Sequence, residues 1–467
     1  MRLPGFLCVM FLCLWSQSLF SQAYPDLDSV ITRFFDRYSF EEEYPVRLRF
    51  AKKPKGWTVY EGSFLAPDTV VNEQIYWSSA SKRFLPLGYK PANAYQRTRD
   101  FEVRRYLREY QTEVDLFDHT PFYGYTNWSR DVIQEFELNS EQKKNPLFLE
   151  GLAYAYWTEA VAEIRPTDPY IAGTDSTVGY GKMPSKAFKE LRKGIQAALN
   201  TYEKIPDLDP DFLMKDSTPI SSFLPNAYMK AAHLFRSVRE DRWGKNMLNK
   251  ADYPEEALAE TRTMLDALNK EAFLFCWEEN EIYPIWYLQQ TEKEYTSLKV
   301  IYLPLLDEAY YLEMLRKELP AFGFTASLDL FENEQRQFVY LEEGDGQKPL
   351  KELISQAYSQ DTTQQLRLVT EYYPYLPGRE FQLAISEEAL MGASWLSLKE
   401  NREPFLEGKL EGNFLSRRTL ILLDFLTAYG WNSPVHFLNV PEKELSFLKE
   451  NLTTYGRTYL LEPGMKE

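Results

Sequence analysis

Residues 272–319 read AFLFCWEENEIYPIWYLQQTEKEYTSLKVIYLPLLDEAYYLEMLRKEL. An apolar run (AFLFCW) leads into an acidic turn, a helical segment, a second apolar run and a second helical segment. Short apolar runs that alternate with helices of ten or so residues imply buried strands joined by crossovers, and hence a mainly parallel sheet covered on both faces. The alternation continues to the end of the chain. Strands are expected at 336–342, 380–388, 433–440 and 457–463, and helices at 348–358, 416–430 and 441–452. Gly430 is placed to end one helix and Pro441 to begin another. Residues 272–467 are therefore expected to form an α/β domain.

Working outward, 141–271 changes character to helical periodicity. Leu147, Leu152, Ala153 and Tyr156 share one face, FKELRKGIQAALNTYEKIPDLDPDF forms a second helix, and LPNAYMKAAHLFRSVRED with PEEALAETRTMLDALNK repeats the pairing. Small residues at the crossings resemble tetratricopeptide repeats, with an insert at 165–185; two pairs are too few for a free solenoid and must pack on neighbours. A plain helical domain is the alternative. Before it, VRLRFAKK (46–53), GWTVYEGSF (56–64) and EQIYWSSASKRFLPL (73–87) carry β-branched and aromatic residues between Lys-Pro-Lys-Gly and Ala-Pro-Asp turns, an antiparallel meander. A helix over 100–116 and one near Arg130, capped by Asn127 or Ser129, follow it. The expected architecture is thus multidomain α+β and α/β: a β-rich domain at 24–140, a tetratricopeptide-like helical segment at 141–271 and the α/β domain at 272–467.

Arg2, the apolar stretch from Phe6 to Trp15, and Ser21 with Ala23 read as a signal peptide over 1–23 cleaved before Tyr24. No later stretch is apolar for long enough to span a bilayer. The expectation is an exported soluble protein of the periplasm or cell envelope. Of the three cysteines, Cys8 and Cys13 lie in that leader, leaving Cys276 alone in a buried strand, with no intramolecular disulfide possible. The formal charge of −16 argues against a nucleic-acid partner, because an acidic surface repels phosphates. Hydrophobic residues at 44% with 32 Tyr and 30 Phe argue against extended disorder.

The chemistry-bearing residues concentrate in the acidic turn. Glu279, Asn280 and Glu281 follow a strand and precede a helix whose first turn would hold Pro284, at the carboxyl edge where open α/β sheets bind ligands. With Tyr283, Trp286 and Tyr287 nearby, metal or sugar-hydroxyl binding is one reading, and acids that only complement a helix N-terminus are the other. A glycosidase-type pair at Glu279 and Glu281 is the sharper version. Asp424, inside TLILLDFL, either borders a polar cavity or pairs with Arg417 or Arg418. Tyr123, Tyr125 and Trp128 form a packing cluster or, if exposed, a sugar platform. His119, His233 and His436 have no metal-ligand spacing, and phosphate loops, nucleophile elbows and Cys-x-x-Cys pairs are missing. Asp-Ser/Thr triplets at Asp28, Asp68, Asp175, Asp216 and Asp361 resemble a bacterial O-glycosylation acceptor pattern. Cys276 is expected to be inert and His436 a satisfied core histidine.

Residues 272–464 resemble the soluble C-terminal region of bacterial polytopic proteins called domain of unknown function 2723, related to transmembrane protein 260 type protein O-mannosyltransferases. That family's Gly-Asp-Asn-Asp turn corresponds to Glu278-Glu279-Asn280-Glu281, its Thr-Tyr-Pro-Leu-Trp-Tyr to Ile282 through Tyr287, and its following strand to Leu298 through Leu306. Ser386-Glu387-Glu388-Ala389, Leu423-Asp424 and Trp431 through Phe437 extend the likeness. The family's membrane half, where transferase machinery would lie, has no counterpart in this sequence. The resemblance implies a module accompanying glycan transfer, with an envelope protein, a glycan or a polytopic membrane glycosyltransferase subunit as partner. The expected function is a non-catalytic binding or scaffold component, with a carbohydrate-active enzyme using Glu279 and Glu281 as the alternative. No catalytic residue, metal or cofactor is assigned.

Overall fold

A computed structural model of the chain describes residues 24–40, 46–63, 70–92, 99–138, 144–162, 183–326, 338–344, 346–359, 361–368, 371–385 and 403–466. The expected signal peptide, most of the insert at 165–185, Ser386 through Ala389, Asp68 with Thr69, and the triplet at Asp175 lie outside them. The described residues form two compact units, 24–162 with 185–221 in the first and 183–184 with 222–466 in the second. The helical stretch 141–271 is therefore shared between two units.

In the first unit, α1 (Leu27–Arg37) packs its Leu27, Val30, Ile31 and Phe34 face into the core. Asp26 caps it by accepting from the Ser29 N–H at 2.6 Å. The meander follows as β1 (Val46–Lys53), β2 (Gly56–Ser63), β3 (Val70–Ser78) and β4 (Arg83–Phe84), antiparallel and in sequence order. Gly56, at φ +133°, is obligatory because a Cβ there would meet the Trp77 carbonyl oxygen at 1.7 Å. Phe34, Phe50, Trp57, Tyr76 and Tyr106 fill the space between sheet and helices. The helix expected over 100–116 is broken into α2 (Arg99–Glu109) and α3 (Val114–His119). α4 (Trp128–Leu138) starts directly after Asn127, which is left-handed at φ 66°; Ser129 lies inside the helix and bonds Glu159 at 2.5 Å. Tyr123, Tyr125 and Trp128 are half-buried: Tyr125 donates to Asp131 at 2.7 Å, and Trp128 stacks on Tyr154 with centroids 5.7 Å apart. They are a packing cluster. α5 (Pro146–Ala162) and α6 (Ser185–Tyr202) cross closely, since a Cβ at Gly194 would lie 2.6 Å from that of Ala160.

The second unit opens within α7 (Ile220–Ser237), whose first two residues belong to the first unit, and continues with α8 (Asp241–Leu248) and α9 (Glu255–Asp266). The short helix α8 interrupts what the sequence pattern suggested was a simple pair. Then come β5 (Phe273–Cys276), α10 (Glu279–Tyr287), a π-helical turn over Leu288–Glu292, β6 (Lys299–Tyr302) and α11 (Ala309–Glu318). β7 (Phe338–Leu341), β8 (Lys348–Pro349), α12 (Leu350–Tyr358), β9 (Tyr375–Leu376), β10 (Glu380–Ala384), β11 (Glu403–Lys409) and β12 (Phe414–Ser416) follow. The unit ends with α13 (Arg417–Ala428), β13 (Val435–Leu438), β14 (Leu452–Tyr455), β15 (Thr458–Leu461) and β16 (Gly464–Lys466).

The central sheet has the order β14-β15-β13-β5-β6. β13, β5 and β6 are parallel, in the register His436↔Leu274↔Val300, and β5 and β13 are buried along their whole length as strands covered on both faces must be. Within this sheet the expected parallel order holds for these three strands only. β14 and β15 are antiparallel because only the two-residue loop Gly456-Arg457 joins them, far too short for a parallel crossover. β7 through β12 and β16 stand in two smaller mixed sheets, β8-β10-β11-β16 and β9-β7-β12. The helix expected over 441–452 is two 3-10 segments, Glu442–Glu444 and Ser446–Asn451.

Candidate functional site

The parallel strands end at Cys276, Tyr302 and Leu438, and the residues just past them build one corner of the second unit. Trp277 and Glu278 lead from β5 into α10, which begins at Glu279. Glu279 and Glu281 thus occupy the first helical turn, where their charge complements the helix dipole. Pro284, expected in that first turn, lies in the helix interior instead. The helix starts several residues earlier than the proline implied, and this changes the geometry of the acids. Residues two apart on a helix face in nearly opposite directions, whereas in an open turn they could converge.

Their partners differ accordingly. Lys230 on α7 reaches both oxygens of Glu279, at 2.8 and 2.9 Å. Asn280 accepts from the Asn226 amide at 2.8 Å, and Asn226 in turn accepts from the Tyr253 hydroxyl at 2.6 Å. These contacts bind the start of α10 to α7. Glu281 turns to the sheet edge, where the side-chain amide of Asn439, the residue after β13, donates to Oε1 and Arg457 Nη2 lies 3.8 Å away. Its Oε2 is buried without a hydrogen-bond partner. Burial pushes the Glu281 carboxyl up to about 7; the Arg457 charge opposes this, Glu278 adds to it, and the Asn439 hydrogen bond opposes it.

The three predicted aromatics, Tyr283, Trp286 and Tyr287, are core residues rather than an open platform. Tyr283 is buried, and burial pushes its phenol well up, with the Glu279 charge reinforcing the shift. Trp286 is only 7% exposed; its ring stacks on His233 with centroids 5.4 Å apart at 21°, and His233 bonds the Tyr310 hydroxyl at 2.6 Å. Trp286 contributes to the wall of a cleft of about 610 Å³ lined chiefly by α7, α8, the π-helical turn, β6 and α11. The Glu281 corner does not contribute to that cleft.

Asp424 stands apart from the corner, fully buried on α13. Neither Arg417 nor Arg418 is its hydrogen-bond partner. It accepts from the Thr325 N–H at 2.7 Å, the Ala326 N–H at 3.0 Å and the Thr325 hydroxyl at 3.0 Å, so it pins the 322–326 segment to α13. Burial raises its carboxyl despite these bonds. Arg418 instead binds Asp307 through its backbone N–H at 2.8 Å and its guanidinium at 3.4 Å. The reason is geometric: Asp424 lies nearly two turns beyond the arginines, and the chain packed against its own turn offers backbone donors. Cys276 is fully buried, with its thiol pushed well up by burial. His436 is buried, bonds the Thr458 hydroxyl at 3.0 Å, and is pushed down to about 4 by burial.

Sequence reasoning missed Lys230, Asn226, Asn439 and Arg457. Asn439 alone had a signal, as the residue following a buried parallel strand. Arg457 enters through the tight β14–β15 turn, which no periodicity announces. Among the described residues no helix is long and apolar enough to cross a membrane. No curated protein and no solved structure matches the chain. Residues 257–467, from within α9 to the C-terminus, match the family model described as TMEM260-associated domain 2, so this part of the chain is similar to TMEM260-associated domains.

Proposed function

We propose that the chain is an exported, non-catalytic accessory of glycan transfer, whose second unit recognises a glycan or an envelope protein at the corner formed by Glu281, Asn439 and Arg457. The match of 257–467 to a TMEM260-associated domain is the observation that carries the reading. The corner supports it locally: it lies at the carboxyl ends of parallel strands, combines a carboxyl, an amide and a guanidinium, and leaves Oε2 of Glu281 unpartnered. A polytopic membrane glycosyltransferase subunit is the partner this reading implies.

The enzymatic alternative draws less support. An acid pair for glycoside chemistry must flank one bond, roughly 5–9 Å apart across a shared space. Glu279 is engaged by Lys230 on one side of α10, and Glu281 by Asn439 on another. The test is binding of the full chain to immobilised envelope oligosaccharides and to membranes carrying the polytopic partner. Saturable binding that falls at least ten-fold in Asn439→Ala and Arg457→Ala, with the fold intact, is expected. Binding unchanged in both variants removes the corner from the account.

A further inference from the structure

The cleft beside Trp286 is a second place where this unit can hold a ligand, and its chemistry differs from that of the Glu281 corner. In a chain with a formal charge of −16, the side chains of its walls carry Arg236, Lys245 and Lys293 against Asp241 and Glu318. The carboxylate of Glu318 is already engaged by Arg236, at 2.9 and 3.1 Å. The lysines are held by neutral groups. Lys293 donates to the Gln290 carbonyl at 2.7 Å, whereas Lys299, which alternates with Leu298 and Val300 along β6, sends its ammonium to the other face of the sheet, to the Glu271 carbonyl at 2.7 Å and over the Phe273 ring. Lys245 is exposed on α8. Neither Lys245 nor Lys293 has a carboxylate within ion-pair distance among the described residues, so their charge is not cancelled locally.

The backbone around the cleft is built to hold this arrangement. α7 and α8 approach so closely at Gly244 that a Cβ there would lie 2.9 Å from Arg236 Cγ and 3.0 Å from the Ala232 carbonyl oxygen. Opposite them, the π-helical turn ends in Lys293 at φ 62°, with Tyr295 also left-handed at φ 49°. Such turns and such backbone angles in non-glycine residues collect at ligand sites. The Gln289 amide fixes the segment by donating to the Tyr295 and Leu298 carbonyls at 2.9 and 2.8 Å. The cleft volume of about 610 Å³ suits a small organic molecule.

We propose that this cleft binds a small organic anion bearing two or more anionic oxygens, a phosphate ester or a polycarboxylate, through Lys245 and Lys293. Apolar side chains of Leu248, Val300 and Leu315 line the same space and give the body of the molecule a dry surface. The site is independent of the Glu281 corner, and variants at the two places separate them. The test is calorimetric titration of the full chain at low ionic strength with pyrophosphate in one arm, citrate in another and a neutral disaccharide as control. One-to-one binding of at least one anion is expected, weakened about ten-fold by Lys245→Glu and by Lys293→Gln, and left unchanged by Lys449→Glu, an exposed lysine elsewhere. The arm that binds distinguishes phosphate from carboxylate as the source. Near-UV circular dichroism confirms folding; should Lys245→Glu unfold, Lys245→Gln takes its place. Absence of binding in both anion arms, equal binding of the neutral disaccharide, or an affinity that survives combined loss of Lys245 and Lys293 overturns the proposal.

Discussion

Lys230 Nζ lies 2.8 and 2.9 Å from the two carboxylate oxygens of Glu279, while Glu281, two residues further along α10, is held by Asn439 beyond the end of β13. This divergence separates two acids that adjacency in the sequence invites one to treat as a pair. The Lys230–Glu279 bridge is itself partly exposed, at 44% and 39% of the side chains, so screening limits its value. A double-mutant cycle of Lys230→Ala and Glu279→Gln, read by denaturant unfolding, is expected to give a coupling of about 0.5 kcal/mol. A coupling of several kcal/mol would make the bridge a structural keystone, contrary to its exposure.

Glu281 behaves differently. Its folded-state carboxyl titrates at about 7, above the roughly 4.3 of an unfolded glutamate. A raised value means the folded chain binds the proton more tightly, so the stabilisation is complete below about pH 4 and is lost as pH rises through 7. Glu281→Gln keeps the neutral shape at every pH. The variant is expected to match wild type near pH 4 and to exceed it by on the order of 1–2 kcal/mol at pH 8, after allowance for the part-exposed setting. Equal pH dependence of the two proteins would contradict the burial argument.

Asp424 holds the 322–326 segment through two backbone N–H groups and the Thr325 hydroxyl. Asp424→Ala leaves those buried donors unsatisfied and is expected to cost about 3 kcal/mol in denaturant unfolding, with Asp424→Asn losing less because it retains one acceptor. Loss of a ligand with no loss of stability would instead place Asp424 in a binding site.

These cases show what a one-dimensional pattern conveys. Apolar strands such as 273–276 and 435–438 were readable because burial on both faces of a parallel sheet demands an unbroken apolar run. The meander over 46–78 was readable through alternation and turn residues. Pro284 misled, because proline usually marks a first turn and here sits inside a helix that begins at Glu279. The smaller mixed sheets were read as part of one parallel sheet, since strand composition does not encode which neighbour a strand will find. Of the site, the position of Glu281 at the carboxyl edge was readable; its partners Asn439 and Arg457, 158 residues and more away in sequence, were not. The cationic cleft escaped because Arg236, Lys245 and Lys293 are scattered over three elements and become neighbours only in the fold.

Cys276 and His436 provide a check on the burial of the central sheet. A thiol pushed well up and fully enclosed should react with a disulfide reagent only as fast as the unit opens. His436, pushed down to about 4, should show no titration of its ring resonances between pH 5.5 and 8, roughly the window of an ordinary histidine. Rapid labelling of Cys276 in native conditions, or a midpoint near 6.5 for His436, would mean that the β5–β13 core is looser than described.

The measurement closest to the central claim follows the fate of a bound saccharide. Envelope oligosaccharides are incubated with wild type, Glu279→Gln and Glu281→Gln, and bound and free material is recovered and analysed by mass. The account predicts saccharide that is retained by wild type and recovered chemically unchanged. Cleaved or transferred saccharide that disappears in both glutamine variants would contradict it and restore the acid pair as a catalytic site.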